Sequence, residues 1–377
     1  MSLIKRTIQK SIEQSLFKGK AVILYGARQV GKTTLIKEIQ KKFSESSIYL
    51  NCDEPDVRSA LTDATSTSIK TYIGNKKIIF LDEAQRVKNI GLSLKLMIDN
   101  FPDMQILATG SSSFDLSNQI AEPLTGRKYE FYLYPFSMEE LSQIASPQEL
   151  VRMLEQRILL GMYPEITKYG AEEAQERLRN IAQSYLYKDV LQYQNIKNPE
   201  ILEKLLQALA LQIGNEVSYN ELAGIVGVDK KTIANYIQIL EKAFVIFRLR
   251  PFSRNLRKEL TKLRKIYFVD TGIRNALISN FNPFNLRQDI GALWENFLIS
   301  ERQKMNNNRK IKVNAYFWRT HQQQEIDYLE EQQGVISAFE FKWKSKSFKP
   351  SKVFSEAYPE SKTRLVTRDN FQEFLTR

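Results

Sequence analysis

Cysteine occurs once in the 377 residues, at Cys52, and histidine once, at His321. Disulfides within the chain are therefore excluded, and a reducing, cytoplasmic compartment is the expected home. His321, which follows Trp318-Arg319 and Thr320, has no role that can be named from sequence. No apolar run approaches the ~20 residues of a membrane span and the N-terminus has no signal-like apolar core, so no membrane association is expected. Internal repeats and long low-complexity tracts are also missing. The remaining chain is long enough for two or three domains with cores of their own. Ile4, Ile8, Ile12 and Leu16 recur at helical spacing, which predicts an amphipathic helix packed on the first domain. The formal net charge is +12. Its excess is densest between Arg248 and Lys265, where Arg250, Arg254, Arg257, Lys258, Lys262 and Arg264 meet only Glu259.

Against these absences, the stretch Gly26-Ala27-Arg28-Gln29-Val30-Gly31-Lys32-Thr33, followed by Thr34, is a complete G-x-x-x-x-G-K-[ST] phosphate-binding loop. The apolar run Ala21 to Tyr25 predicts a buried strand before it, and the residues from Thr34 to Ile39 open a helix. Glycines allow the tight curve and the helix N-terminus faces the phosphates. Lys32 adds a cation and Thr33 offers a hydroxyl to Mg2+. ATP with Mg2+ is the expected ligand.

Residues 77–83 form an apolar run ending in Asp82 and Glu83, the pattern of a buried parallel strand with acids at its carboxyl end, where ligands bind in such sheets. Asp82 can hold Mg2+ and Glu83 can polarise the attacking water. A third apolar strand, from Gln105 to Thr109, runs into Gly110-Ser111-Ser112, so Thr109 or Ser111 can orient that water. Arg127, after Leu124-Thr125-Gly126, can meet the transition-state charge in its own subunit or a neighbour's, and a homo-oligomer is one expectation.

Ser218 to Glu221 reads as a capping box opening a short helix, Gly227-Val228 as a turn, and Asp229 as the cap of a second helix. In that helix Ile233, Ile237 and Leu240 face inward, while Lys230, Lys231 and Asn235 face out. The pattern predicts a helix-turn-helix, with residues 244–250 and 265–269 as the strands of a wing. DNA is the expected partner, contacted by Lys230, Lys231, Asn235, Arg254, Arg257 and Lys258; contact with protein is the alternative.

The last third places Trp294-Glu295-Asn296-Phe297 on a helix, residues 315–319 on a strand, and Glu325-Ile326-Asp327 on another. A turn through residues 330–334 leads to a strand carrying Glu340 and Lys342 on one face. A hairpin can bring Asp327 beside Glu340, giving a hard-cation site with an adjacent lysine. Glu295, Asp327, Glu340 and Lys342 together resemble the PD-(D/E)xK nuclease fold, with Glu-Ile-Asp replacing the Pro-Asp step. That resemblance implies a metal held by Glu295, Asp327 and Glu340, with Glu340 and Lys342 catalytic.

Taken in order, the phosphate loop, Leu-Asp-Glu-Ala-Gln (81–85), Thr-Gly-Ser-Ser (109–112), Leu-Thr-Gly-Arg (124–127), Phe-Val-Asp-Thr-Gly (268–272), Trp-Glu-Asn-Phe (294–297) and the Glu-Ile-Asp and Glu-Phe-Lys motifs resemble the prokaryotic AAA-type ATPases with a C-terminal winged-helix and nuclease-like region. The resemblance implies an α/β fold with a parallel sheet of the additional-strand type, in the order 5-1-4-3-2. The expected domains are a P-loop ATPase (1–135), a helical linker or lid (136–200), a winged helix-turn-helix (201–284) and a restriction-endonuclease-like α/β domain (285–377). The functional expectation is an ATP-hydrolysing protein that binds DNA and cleaves it. The alternative is an ATP-switched, non-cleaving regulator of DNA or protein contacts.

Overall fold

A computed structural model describes residues 3–111, 113–185, 198–253, 264–320, 322–344 and 348–376. Arg254, Arg257, Lys258 and His321 lie outside the described residues.

The first sheet is built from β1 (Ala21–Gly26), β2 (Ser47–Asn51), β3 (Ile78–Asp82), β4 (Gln105–Gly110) and β5 (Lys128–Leu133). All neighbours are parallel and the order is β2-β3-β4-β1-β5, the expected 5-1-4-3-2 read from the other edge. Every residue of β1, β3 and β4 is buried, as strands covered on both faces require. Ile4, Ile8, Ile12 and Leu16 are all buried, but the α-helix among them is only Gln9–Glu13. The N-terminal arm is fixed instead by Arg6, which donates to Val30 O (2.8 Å), Glu140 Oε1 (2.9 Å) and Tyr134 O (2.5 Å).

Beyond the first sheet, helices Pro147–Leu160, Ala171–Tyr185 and Pro199–Leu211 lead to the short strand β6 (Glu216–Val217). Two helices follow, Tyr219–Val226 and Lys230–Lys242. Their joint is Gly227 in the left-handed region (φ 80°), and Asp229 caps the second helix by accepting from the amides of Lys231 and Thr232. Ile233, Ile237 and Leu240 are buried, while Lys230, Lys231 and Asn235 are exposed. Then come β7 (Ile246–Pro251) and β8 (Arg264–Phe268), which pair antiparallel, and β6 adds to the far side of β8.

This hairpin is part of a larger sheet. With β9 (Asn314–Arg319), β10 (Glu325–Gln332), β11 (Val335–Phe341) and β12 (Lys362–Val366) it forms seven strands in the order β12-β11-β10-β9-β7-β8-β6. The seam is the parallel pairing of β7 with β9, so strands on both sides of residue 284 share one hydrogen-bonded sheet. The turn between β10 and β11 is shorter than the sequence suggests. Gln333 (φ 53°) and Gly334 (φ 83°) both adopt left-handed backbone, a two-residue type I′ connection. Glu330 and Glu331 therefore remain in β10, and Glu330 is buried against Arg302 with two bonds of 2.8 and 2.7 Å.

Helix Ile290–Asn308 covers this sheet and also locks onto the first unit. Glu301 Oε2 accepts the Met138 amide at 2.7 Å, Lys304 donates to Phe136 O at 3.1 Å, and Asn307 donates to Tyr132 O at 2.8 Å. One hydrophobic core runs from the N-terminal sheet into this helix, with a small satellite around Trp318, Ile326 and Phe354.

Candidate functional sites

The phosphate loop sits between the carboxyl end of β1 and helix Lys32–Gln40. Gly31 stands at φ 95°, a conformation that L side chains rarely adopt, and so permits the turn into the helix. Lys32 is buried, and its ammonium donates to the carbonyls of Gly26 and Ala27 at 2.9 Å each, which fixes it within the loop. Beside it, Thr33 Oγ1 donates to Asp82 Oδ2 at 2.6 Å. A hydroxyl and a carboxylate at this distance are a hard-oxygen donor pair, so these residues fit Mg2+.

Asp82 is the hub of a wider network. Tyr49 donates to its Oδ2 (2.8 Å) and Thr109 to its Oδ1 (2.5 Å), and Thr109 Oγ1 also accepts the Glu83 amide (3.1 Å). Burial and Asp82 together raise the Tyr49 phenol, keeping it a donor. Thr109 thus spends its hydroxyl on the Asp82 carboxylate and the Glu83 backbone amide, supporting these two residues from a fully buried position. Ser111 accepts from the Gln85 amide at 2.9 Å, and the same amide donates to Glu83 Oε2 at 2.5 Å. Glu83 itself takes a left-handed backbone (φ 53°), rare for its residue type. Gln85 had no distinguishing signal in the sequence beyond its place in the Leu-Asp-Glu-Ala-Gln run.

Gly31, Lys32, Thr33, Tyr49, Asp82 and Glu83 line a cavity of about 920 Å³ that also takes in Arg28, Gln29, Thr34, Lys37 and Arg86, whereas Thr109 and Ser111 are buried and do not line it. Its far wall comes from Pro164, Glu165, Lys168 and Tyr169 in the segment after residue 135. A smaller, mostly apolar crevice of about 210 Å³ adjoins it across Gly31 and Thr34, between Ile4, Arg6, Val30, Leu35, Phe136 and Pro164. Residues 164–169 are held from behind. Asp270 accepts the Met162 amide at 2.7 Å and caps helix Thr271–Leu277 through the amides of Gly272 and Ile273.

Arg127 is placed elsewhere. Its carbonyl accepts the Ala21 amide at the amino end of β1, and its side chain pairs with Asp99 at 2.9 Å. The phosphate loop lies at the opposite end of that strand, roughly 17 Å away at ~3.3 Å per residue. Contact with the γ-phosphate of its own subunit is therefore excluded. The cations that do line the cavity, besides Lys32, include Arg28, Lys37, Arg86 and Lys168.

Where helix Ile290–Asn308 meets the second sheet, Glu295 of the helix converges with Glu325 and Asp327 of β10, with one oxygen of each within 4.8 Å of the others. Glu340 does not belong to this trio. It neighbours Asp327 through its charge and pairs with Lys342 at 2.8 Å. Asp327 Oδ2 accepts the Phe341 amide at 2.7 Å. The unexpected member is Lys265 on β8, which is 1% exposed and donates to Glu295 at 2.9 Å while pairing with Glu325. Tyr267 donates to the same Glu295 oxygen at 2.5 Å. Burial raises Glu295 to about 7 against the opposing pull of Lys265, and raises Asp327 to about 6 with help from Glu340. The metal set implied by the nuclease resemblance does not fit, because an ammonium already sits among the carboxylates it would need.

Residues 18–142 are matched by the family model of an AAA domain. These residues hold the whole loop, β3 and Thr109. Residues 151–283 match a domain of unknown function (DUF8612), and residues 290–376 another (DUF4143). Together with the relatives, the matches support an AAA-type ATPase family. An uncharacterized protein of Methanocaldococcus jannaschii is 26% identical over 344 residues, covering 86% of this chain and 75% of its own length. An uncharacterized protein of Mycobacterium tuberculosis is 26% identical over 347 residues, covering 91% and 74%. Among solved structures, the Pif1 helicase from Candida albicans has a TM-score of 0.26 at 13% identity, and this chain spans about half of its length (48%). A likeness that loose carries no argument. No helix among the described residues is long and apolar enough to cross a membrane.

Proposed function

We propose that this chain binds ATP in the cavity at the carboxyl end of β1 and β3 and hydrolyses it. The observation that carries this reading is the contact of Thr33 with Asp82 inside a network that also positions Glu83. The triphosphate lies along the loop, with the amides at the start of helix Lys32–Gln40 and the Lys32 ammonium toward its outer phosphates. The purine enters the adjoining apolar crevice between Ile4, Leu35 and Pro164, since the two cavities share Gly31 and Thr34. Mg2+, when bound, is held by Thr33 and Asp82 and offsets phosphate charge. Glu83 takes a proton from the water that attacks the γ-phosphorus, and ADP leaves. Gln85 holds the Glu83 carboxylate in place, and Arg28, Lys37, Arg86 and Lys168 join Lys32 as cations lining the cavity. A role for Arg127 requires a neighbouring subunit.

The exposed Lys230, Lys231 and Asn235, on the second of two helices joined by a tight turn, support docking on DNA as a winged helix. A non-cleaving, ATP-switched regulator is the second reading, and it is favoured by Lys265 among the C-terminal carboxylates. Binding of a fluorescent duplex at rising salt, with ATP or ADP present, tests the DNA reading. Affinity should fall steeply with salt and differ between the nucleotides; no binding at low salt removes DNA as the partner.

A further inference from the structure

The poor fit between the C-terminal carboxylates and a metal has a specific cause. Lys265 and Tyr267 stand on one face of β8 and both donate to Glu295 Oε1, so that oxygen is already occupied by two donors. Lys265 also pairs with Glu325, and its ammonium lies 5.5 Å from the centre of the Phe317 ring. Asp327 and Glu340 are engaged by the Phe341 amide and by Lys342. At the rim Arg319 reaches Glu325 at 3.7 Å.

We propose that Lys265 is the resident cation of this centre, an internal ammonium that takes the place a divalent ion would need and closes the site to metal in this conformation. The charges support it. Glu295, Glu325, Asp327 and Glu340 face Lys265, Lys342 and Arg319, and Glu216 also meets Arg319 at 3.4 Å, so negative charge stays in excess around the ammonium. A buried lysine in turn requires counter-anions, since an unpaired ammonium in a dry site costs several kcal/mol. The position of Lys265 ties the centre to the rest of the molecule. β8 runs on through Val269 to Asp270, which holds the amide of Met162, and Met162 lies two residues from Pro164 in the nucleotide cavity. β8 is thus linked, through Asp270 and Met162, to the segment that forms the far wall of that cavity.

The test is Mn2+ binding to the full chain without nucleotide, read from the electron paramagnetic resonance of free Mn2+. Wild type and Asp327→Asn should bind Mn2+ alike. Lys265→Met should gain one site, on the order of 100-fold tighter than anything the wild type shows there, given one unit charge removed at contact distance. That gain should vanish in the double variant with Asp327→Asn. Wild-type binding that Asp327→Asn weakens overturns the proposal, as does a folded Lys265→Met that gains no site. Should Lys265→Met not fold, the comparison of wild type with Asp327→Asn still decides, and Lys265→Arg, which keeps the charge, should stay metal-free.

Discussion

Raising the pH from 5 to 8 should destabilise this protein, because buried carboxyls, Glu295 and Asp327 together with Asp270 and Glu301, hold protons more tightly folded than unfolded. Burial lifts Glu295 from an ordinary 4.5 to about 7, and Asp327 from 3.8 to about 6. Between those limits the native state carries protons that the unfolded chain has released, so the free energy of unfolding falls as pH rises. The contribution is fully present below the ordinary carboxyl values and is lost as pH passes the folded ones. With ~1.36 kcal/mol per pKa unit, Glu295 alone accounts for about 3 kcal/mol across the window. Asp327 adds less than its separate value, since its charge and that of Glu295 oppose each other. Carboxylates held low by partners, such as Glu330 beside Arg302 and Asp289 beside Arg287 and Arg274, lose their contribution at more acid pH, outside this window. Urea unfolding followed by tryptophan fluorescence at pH 5, 6, 7 and 8 gives the slope, and Glu295→Gln isolates the share of Glu295. Wild-type stability that is flat or rising over this range, or a slope unchanged in Glu295→Gln, refutes the reasoning.

Other perturbations probe the supports of the nucleotide cavity and the proposed DNA face. Gly161 has φ 76°, and a Cβ there would lie 1.9 Å from Asp270 Oδ1. Gly161→Ala should therefore cost about 3 kcal/mol or more in urea unfolding, from left-handed strain together with a lost charge-assisted bond to Met162. Arg6→Ala removes three bonds and leaves Glu140, 0% exposed, without that guanidinium. It should cost about 3–5 kcal/mol and weaken binding of a fluorescent ATP analogue, because Arg6 holds the loop carbonyl of Val30. If Lys230 and Lys231 contact phosphates, their joint replacement by Ala should lower the salt slope of duplex binding by about 2.

The first sheet was legible because its strands are buried on both faces and read as unbroken apolar runs, and because the phosphate loop pins a chemical site to one end of β1. Asp82 and Glu83 followed from the same logic. Arg127 was misplaced because Leu-Thr-Gly-Arg fixes a local turn but says nothing about which end of the parallel sheet it occupies. For Thr109 the sequence offers only a small hydroxyl at a strand end; that it bonds the Asp82 carboxylate and the Glu83 amide depends on contacts with no local pattern. The walls at residues 3–6 and 164–169 were invisible: apolar and mixed residues far apart in sequence carry no shared pattern. In the last third, alternation along β10 and β11 put Asp327 near Glu340, but Lys265 reached the cluster from three strands away. The β7–β9 pairing that carries it there is a long-range contact with no local signature. Its lysine read as one more charge in a basic run.

The central claim is hydrolysis of ATP by Glu83 in a site assembled around Lys32, Thr33 and Asp82. Steady-state release of phosphate from ATP and Mg2+ by the wild type and by Glu83→Gln, with nucleotide binding measured on the same samples, addresses it directly. The account predicts that turnover falls at least ~100-fold in Glu83→Gln while binding persists, as expected when a positioned base is removed from an intact phosphate site. Equal turnover in the two proteins, or a wild type that binds no ATP, would contradict it.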